Sequence, residues 1–140
     1  MTDDGAEALA RKLGIRPGQR ICLLGAPAGS AEVIERAAAG SATIMDALDA
    51  QPYESVFWWP ATLDGFAERL ANLRRHIKPA GSVWVVMPKK AFAAKRGLTF
   101  TWEQMQAAAL TTDLVDNKIA AITSEEYATR FVIRKDRRRG

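Results

Sequence analysis

The sequence predicts one three-layer α/β domain over residues 1–134, with a mostly parallel sheet that closes in a C-terminal antiparallel hairpin and a basic tail at 135–140. Three observations carry this. The runs Ile21–Leu24, Val56–Pro60 and Val83–Pro88 are apolar without alternation, as strands buried on both faces require. An amphipathic stretch from Leu63 to Ile77 separates the second run from the third, which supplies the parts of a right-handed crossover between parallel neighbours. Finally, Leu114–Ile122 and Tyr127–Arg134 are joined only by Thr123-Ser124-Glu125-Glu126, a link too short for any crossover, so these two strands must pair antiparallel.

In chain order, Thr2-Asp3-Asp4 reads as a helix start, with Leu9 and Leu13 on its docking side and Gly14 at its end. Ile15–Gln19, with Pro17 and Gly18, is a turn into the first strand. Gly25 and Gly29 let the chain bend after Leu24, and Ser30 is expected to cap a helix over Ala31–Ala39 that Gly40 stops. Ala42–Met45 is at most a short, weak strand. From Gly29 to Ser55 the chain is too short for the several strands and helices of a full nucleotide-binding half, so that region is shortened. The long helix carries Leu63, Phe66, Leu70, Leu73 and Ile77 on one side and ends at Lys78-Pro79-Ala80-Gly81. Residues 89–98 form a basic loop. Thr101 and Gln104 have the spacing of a capping box opening the last helix, which runs to about Leu110. In the second hairpin strand Tyr127, Thr129, Phe131 and Ile133 share one face.

Composition excludes several classes. With 48% hydrophobic and 26% charged residues, the 140-residue chain has the make-up of a folded domain with a real core. No apolar run approaches the roughly 20 residues of a membrane helix. The acidic start, Asp3, Asp4 and Glu7, lacks the pattern of a secretory signal, and a cytoplasmic setting is expected. One cysteine, Cys22, and one histidine, His76, cannot supply a Cys/His zinc site or an internal disulfide. The net charge of +4 is weighted toward Arg134–Arg139, a tail suited to nucleic acid or to simple solvation. Cys22, mid-strand, reads as buried and inert, and His76 as solvated near a helix end. No paired carboxylates, nucleophile–base spacing or Walker-type loop is present.

Three stretches resemble the class I S-adenosylmethionine-dependent methyltransferase fold, a Rossmann-like architecture. Leu24–Gly29 stands where that family places its glycine-rich cofactor loop. His76–Trp84 is similar to its turn from a long helix into a central strand, and Leu114–Arg134 stands at its terminal hairpin. More closely, Lys12–Arg20 running into Leu23–Pro27, then Pro88-Lys89, Gly97-Leu98-Thr99, Leu114–Lys118 and Arg130-Phe131-Val132 resemble a family of small uncharacterised bacterial proteins shaped like shortened methyltransferase domains. The resemblance implies S-adenosylmethionine as cofactor, yet the loop departs from the pattern. No carboxylate precedes Gly25, Pro27 removes an N–H donor, and only Asp46 or Asp49 stands where the family's ribose-binding acid belongs. Each lost charge-assisted contact is worth roughly 1.5–3 kcal/mol, so two or three losses weaken binding by orders of magnitude.

The sequence therefore disfavours that cofactor and predicts no cofactor and no catalytic residue. Its leading expectation is a non-catalytic domain that binds a small anionic ligand or a protein partner beyond the carboxyl ends of the strands. A divergent methyltransferase is the first alternative. A nucleic-acid-associated protein using the basic loop and tail is the second. The expected ligand contacts are Gly25, Ala26, Pro27, Gly29 and Ser30 on the first loop, Trp59 as an aromatic wall, and Lys89 and Lys90 as point charges, all around one crevice. Trp58 and Trp59, adjacent on a strand, should face opposite sides of the sheet. This reading requires Pro27, Pro60 and Pro88 to meet at one rim.

Overall fold

The computed structural model describes residues 4–137. Helix α1 (Asp4–Leu13) leads into β1 (Arg20–Leu24), α2 (Ala28–Ala38) and a three-residue β2 (Thr43–Met45). Next come β3 (Tyr53–Trp58), α3 (Phe66–Arg74) and β4 (Ile77–Pro88), then the single turn α4 (Lys90–Ala93) and α5 (Trp102–Ala109). The chain closes with β5 (Leu114–Ala121) and β6 (Glu126–Ile133). All six strands form one sheet in the order β2-β1-β3-β4-β6-β5. The first three neighbour pairs are parallel, and β6 runs antiparallel to both β4 and β5. The predicted parallel sheet with a terminal hairpin is what the chain forms.

The apolar runs explain the layers. Alternate residues of β1, β3 and β4 face opposite sides, and each side is roofed by two helices. Ile21, Leu23, Phe57, Trp84 and Val86 lie under α1 and α2, joined by Leu13 and Ile34. Val56, Val83, Val85 and Phe131 lie under α3 and α5, joined by Leu70, Leu73 and Met105. Phe57 and Trp84, neighbours across β3 and β4, stack with ring centroids 5.7 Å apart. Tyr127, Thr129, Phe131 and Ile133 share the α5 side as expected, and the Trp102 indole donates to Thr129 Oγ1 at 2.8 Å.

Two boundaries differ from the sequence expectation. The third helix is shorter than its apolar spacing predicts, because Ile77 pairs with Tyr53 as the first residue of β4. Both a helix stripe and a strand start bury an apolar side chain, so spacing alone assigned Ile77 to the wrong element. The expected break at 78–81 is a slip in register. Tyr53 is opposite Ile77 but Ser55 is opposite Ser82, so β4 bulges outward between them. A Cβ on Gly81 would stand 2.9 Å from the Glu54 carbonyl oxygen, which only glycine avoids. The predicted capping box at Thr101 is present, with Gln104 N–H donating to Thr101 Oγ1 at 3.0 Å and Thr101 N–H to Gln104 Oε1 at 2.9 Å.

Among the described residues no helix is long and apolar enough to cross a membrane. The beginning of the basic tail is tied down. Arg137 Nη1 lies 3.1 Å from Asp113 Oδ1, and its carbonyl accepts from Arg74 Nη2 at 3.2 Å. Arg138–Gly140, and the helix start expected at Thr2-Asp3, lie outside the described residues.

Candidate functional site at the strand tips

The carboxyl ends of β1, β3 and β4 meet at one rim, and the turn after β1 is pressed onto the tip of β3. Trp59 N–H donates to the Leu24 carbonyl at 3.0 Å. Gly25 has φ +81°, and a Cβ there would stand 3.3 Å from the Trp59 carbonyl oxygen, so both its conformation and its clearance call for glycine. Pro27, fixed in an extended conformation, is the residue before α2. The first bond inside that helix runs from Ala31 N–H to the Pro27 carbonyl at 2.9 Å. The N–H groups of Ala28, Gly29 and Ser30 are thus left without partners inside the helix, at its positive end.

Ser30 is not the cap the sequence suggested. The helix starts three residues earlier, since the fixed φ of proline suits a helix entry, and this carries Ser30 into the first turn, where it is buried. Its hydroxyl donates to Glu126 Oε1 at 2.5 Å. Glu126 is the residue that sequence reasoning missed. It opens β6 opposite Pro88 and is 1% exposed. Besides Ser30, its carboxylate accepts from Trp59 Nε1 at 3.2 Å and from Arg96 Nη2 at 2.7 Å. One carboxylate therefore ties together the α2 entry, the β3 tip and the loop after α4. A carboxylate buried this completely is stable only when its oxygens are paired, and these three donors supply that. In the sequence Glu126 was one polar residue of a four-residue link, with nothing local to mark it as buried.

The expected single crevice is three cavities. Pro27, Trp59, Pro60 and Pro88 line a small one of about 220 Å³ together with Arg96, so the three prolines do share a rim. Gly25 and Ala26 line a larger one of about 520 Å³ beside β2, with Met45, Asp46 and Glu35. Lys89 and Lys90 belong to neither. They flank an apolar cavity of about 420 Å³ on the α5 side, with Phe100, Trp102 and Tyr127. Pro88 walls both this cavity and the small one, and α4 starts at once beyond it, which turns the lysines away from the glycine loop. Trp58 and Trp59 do face opposite sides. Trp58 stacks on Phe66 with centroids 4.9 Å apart, while Trp59 reaches Glu126.

The structure also separates the two candidate acids. Asp46 follows directly on β2 and lines the cavity beside Gly25. Asp49 lies toward the other end of the sheet, where Arg20 Nη2 contacts its Oδ2 at 2.6 Å. The hydrogen bond from Arg20 holds the Asp49 carboxyl below its usual range. Arg20 in turn lies over the Tyr53 ring, 4.4 Å from its centroid. Cys22 is fully buried, and burial pushes its thiol up to about 11, which keeps it protonated and unreactive at neutral pH. His76 sits in the turn between α3 and β4, its N–H donating to the Leu73 carbonyl. Among the described residues no group of three or more His, Cys, Asp or Glu is placed to hold a metal.

No family model matches the chain, and no curated protein matches it in sequence. Solved structures do match its fold. A SAM-dependent methyltransferase from Aquifex aeolicus is 12% identical with a TM-score of 0.65, over 92% of this chain and 89% of that one. The N-methyltransferase NodS from Bradyrhizobium japonicum WM9 is 11% identical with a TM-score of 0.60, over 96% and 100%. Aeropyrum pernix fibrillarin, solved with natively bound S-adenosyl-L-methionine, is 10% identical with a TM-score of 0.59, over 89% and 70%. The chain has the Rossmann-like fold of class I methyltransferases. These neighbours correct the leading sequence expectation. They count against a non-catalytic binding domain and favour its alternative, a divergent methyltransferase. They likewise count against setting S-adenosylmethionine aside as a cofactor.

Proposed function

We propose that this chain is a divergent S-adenosylmethionine-dependent methyltransferase. One observation carries the reading: Asp46 and Gly25 line a single cavity at the tips of β2 and β1. The residues fit the cofactor's chemistry. Asp46, with Glu35 on the same wall, offers acceptors for ribose hydroxyls. The Gly25 turn lets backbone approach the ligand closely, and the free N–H groups entering α2 suit a carboxylate end. When bound, the cofactor supplies an electrophilic methyl group on a sulfonium centre for transfer to a nucleophilic acceptor. The chain's part is to hold and orient the two molecules and exclude water. Trp59 and the three rim prolines form the adjoining wall on which an acceptor would rest. Kinship with the small bacterial family of the same shortened pattern, and a cytoplasmic setting, belong to this proposal.

Calorimetry with S-adenosylmethionine and with its demethylated product tests the reading. One-to-one binding is expected, weakened about tenfold or more by Asp46→Ala, as loss of a charge-assisted hydrogen bond predicts. Absence of heat at sub-millimolar concentration overturns it.

A further inference from the structure

The proposed reaction does not use the cavity of about 420 Å³ on the α5 side. Its size is that of pockets that hold small organic ligands, and so is its make-up, apolar walls with a few polar groups. Met87 and Phe100 are buried, and the half-buried Trp102 and Tyr127 carry the aromatic surface on toward solvent. These walls are held in place. The Trp102 indole is tied to Thr129 Oγ1 at 2.8 Å, and the Thr101–Gln104 box fixes the start of α5, which bears that indole. Tyr127 stands on β6 directly opposite Met87 of β4.

The polar groups set the charge of the occupant. Lys89 and Lys90 line the cavity, and among the described residues neither ammonium has an ion-pair partner. The one acid on the wall, Glu103, lies in the first turn of α5, where the positive helix end meets its charge. Two ammonium groups against that one carboxylate leave the cavity net positive. Tyr127 is a second, independent observation, because its hydroxyl has no hydrogen-bond partner among the described residues. Burial first, and the Glu103 carboxylate next, push its phenol up, so the hydroxyl stays protonated and is available as a donor. Aromatic walls call for a flat apolar body, and ammonium groups beside a spare donor call for an acidic group on it. We propose that this cavity is a second ligand site, which binds a small planar aromatic carboxylate with its ring against Phe100, Trp102 and Tyr127 and its acidic group at Lys89 and Lys90. The site adjoins the rim at Pro88 and Leu98, which wall both cavities, and it shares no lining residue with the cofactor cavity beside Gly25.

Calorimetry and the indole N–H resonances of the ¹⁵N-labelled full chain test this, with the Trp102 signal assigned by its loss in Trp102→Phe. At low-millimolar concentration 2-naphthoate should bind and move the Trp102 signal, leaving those of Trp58 and Trp84 in place. The neutral 2-naphthalenemethanol and the cationic 2-naphthalenemethylamine should bind about tenfold or more weakly, as loss of a charge-assisted contact predicts. The surface variant Lys89→Ala/Lys90→Ala, which leaves the apolar walls intact, should bring 2-naphthoate down to the level of the alcohol. Calorimetry on that variant serves even where Trp102→Phe fails to fold. An unmoved Trp102 signal, equal affinity for the alcohol or the amine, or unchanged affinity in the lysine variant overturns the proposal. The S-adenosylmethionine titration reads a separate cavity through Asp46→Ala, so failure of either test leaves the other standing.

Discussion

The two ends of this sheet handle charge in opposite ways. At the strand tips one carboxylate, Glu126, is buried and satisfied by three side chains from three separate segments of the chain. At the base the pairs Arg20–Asp49 and Lys78–Glu54 lie near the surface. The tip network costs desolvation and gains rigidity, which fixes the α2 entry, the β3 tip and the loop after α4 relative to one another. The base pairs are solvent-screened and weakly coupled to the core.

The largest expected effect breaks the tip network. Glu126→Ala strands the Arg96 guanidinium, the Trp59 indole and the Ser30 hydroxyl, and should destabilise the fold by about 3–5 kcal/mol in urea unfolding. A cost near that of an exposed pair would remove the distinction between the ends. Next is Gly25→Ala, which meets both a left-handed backbone and the Trp59 carbonyl. A loss of about 1–2 kcal/mol is expected, with cofactor affinity falling alongside it in the same calorimetry. Thr101→Ala removes a cap remote from both ends and should cost about 1 kcal/mol in the same unfolding measurement. It calibrates the other two.

The smallest effect is at the base. Asp49 is held below its usual value by Arg20, so it binds fewer protons folded than unfolded. Its stabilisation is in place above about pH 4 and is lost as acid protonates the folded chain. Glu54 follows the same direction. Burial works to raise its value, but the Lys78 ammonium and the Arg20 N–H outweigh that. Asp49→Asn should leave the urea midpoint almost unchanged at pH 7 and flatten its decline in acid. A large loss at pH 7 would show that the base is coupled to the core after all.

Local pattern made the fold legible. The three apolar runs, the spacing of Phe66, Leu70 and Leu73, the Thr101–Gln104 box and the short link before Glu126 each encode their element through neighbours within a few residues. The site was legible only in part. Gly25, Pro27, Trp59 and Pro88 could be placed at strand ends because strand ends are local features. That Lys89 and Lys90 turn to the far side of Pro88 depends on where α4 packs, and that Asp46 rather than Asp49 joins the glycine loop depends on the path of the link between β2 and β3.

By itself the chain's order of residues determined a parallel sheet, its helical roofs and its closing hairpin, since hydrophobic period and turn chemistry act over a handful of positions. Only the tertiary structure decided that Glu126 is buried and that Ser30 serves it. Burial and pairing of polar groups depend on segments far apart in the chain meeting at one point, and no local window contains that information.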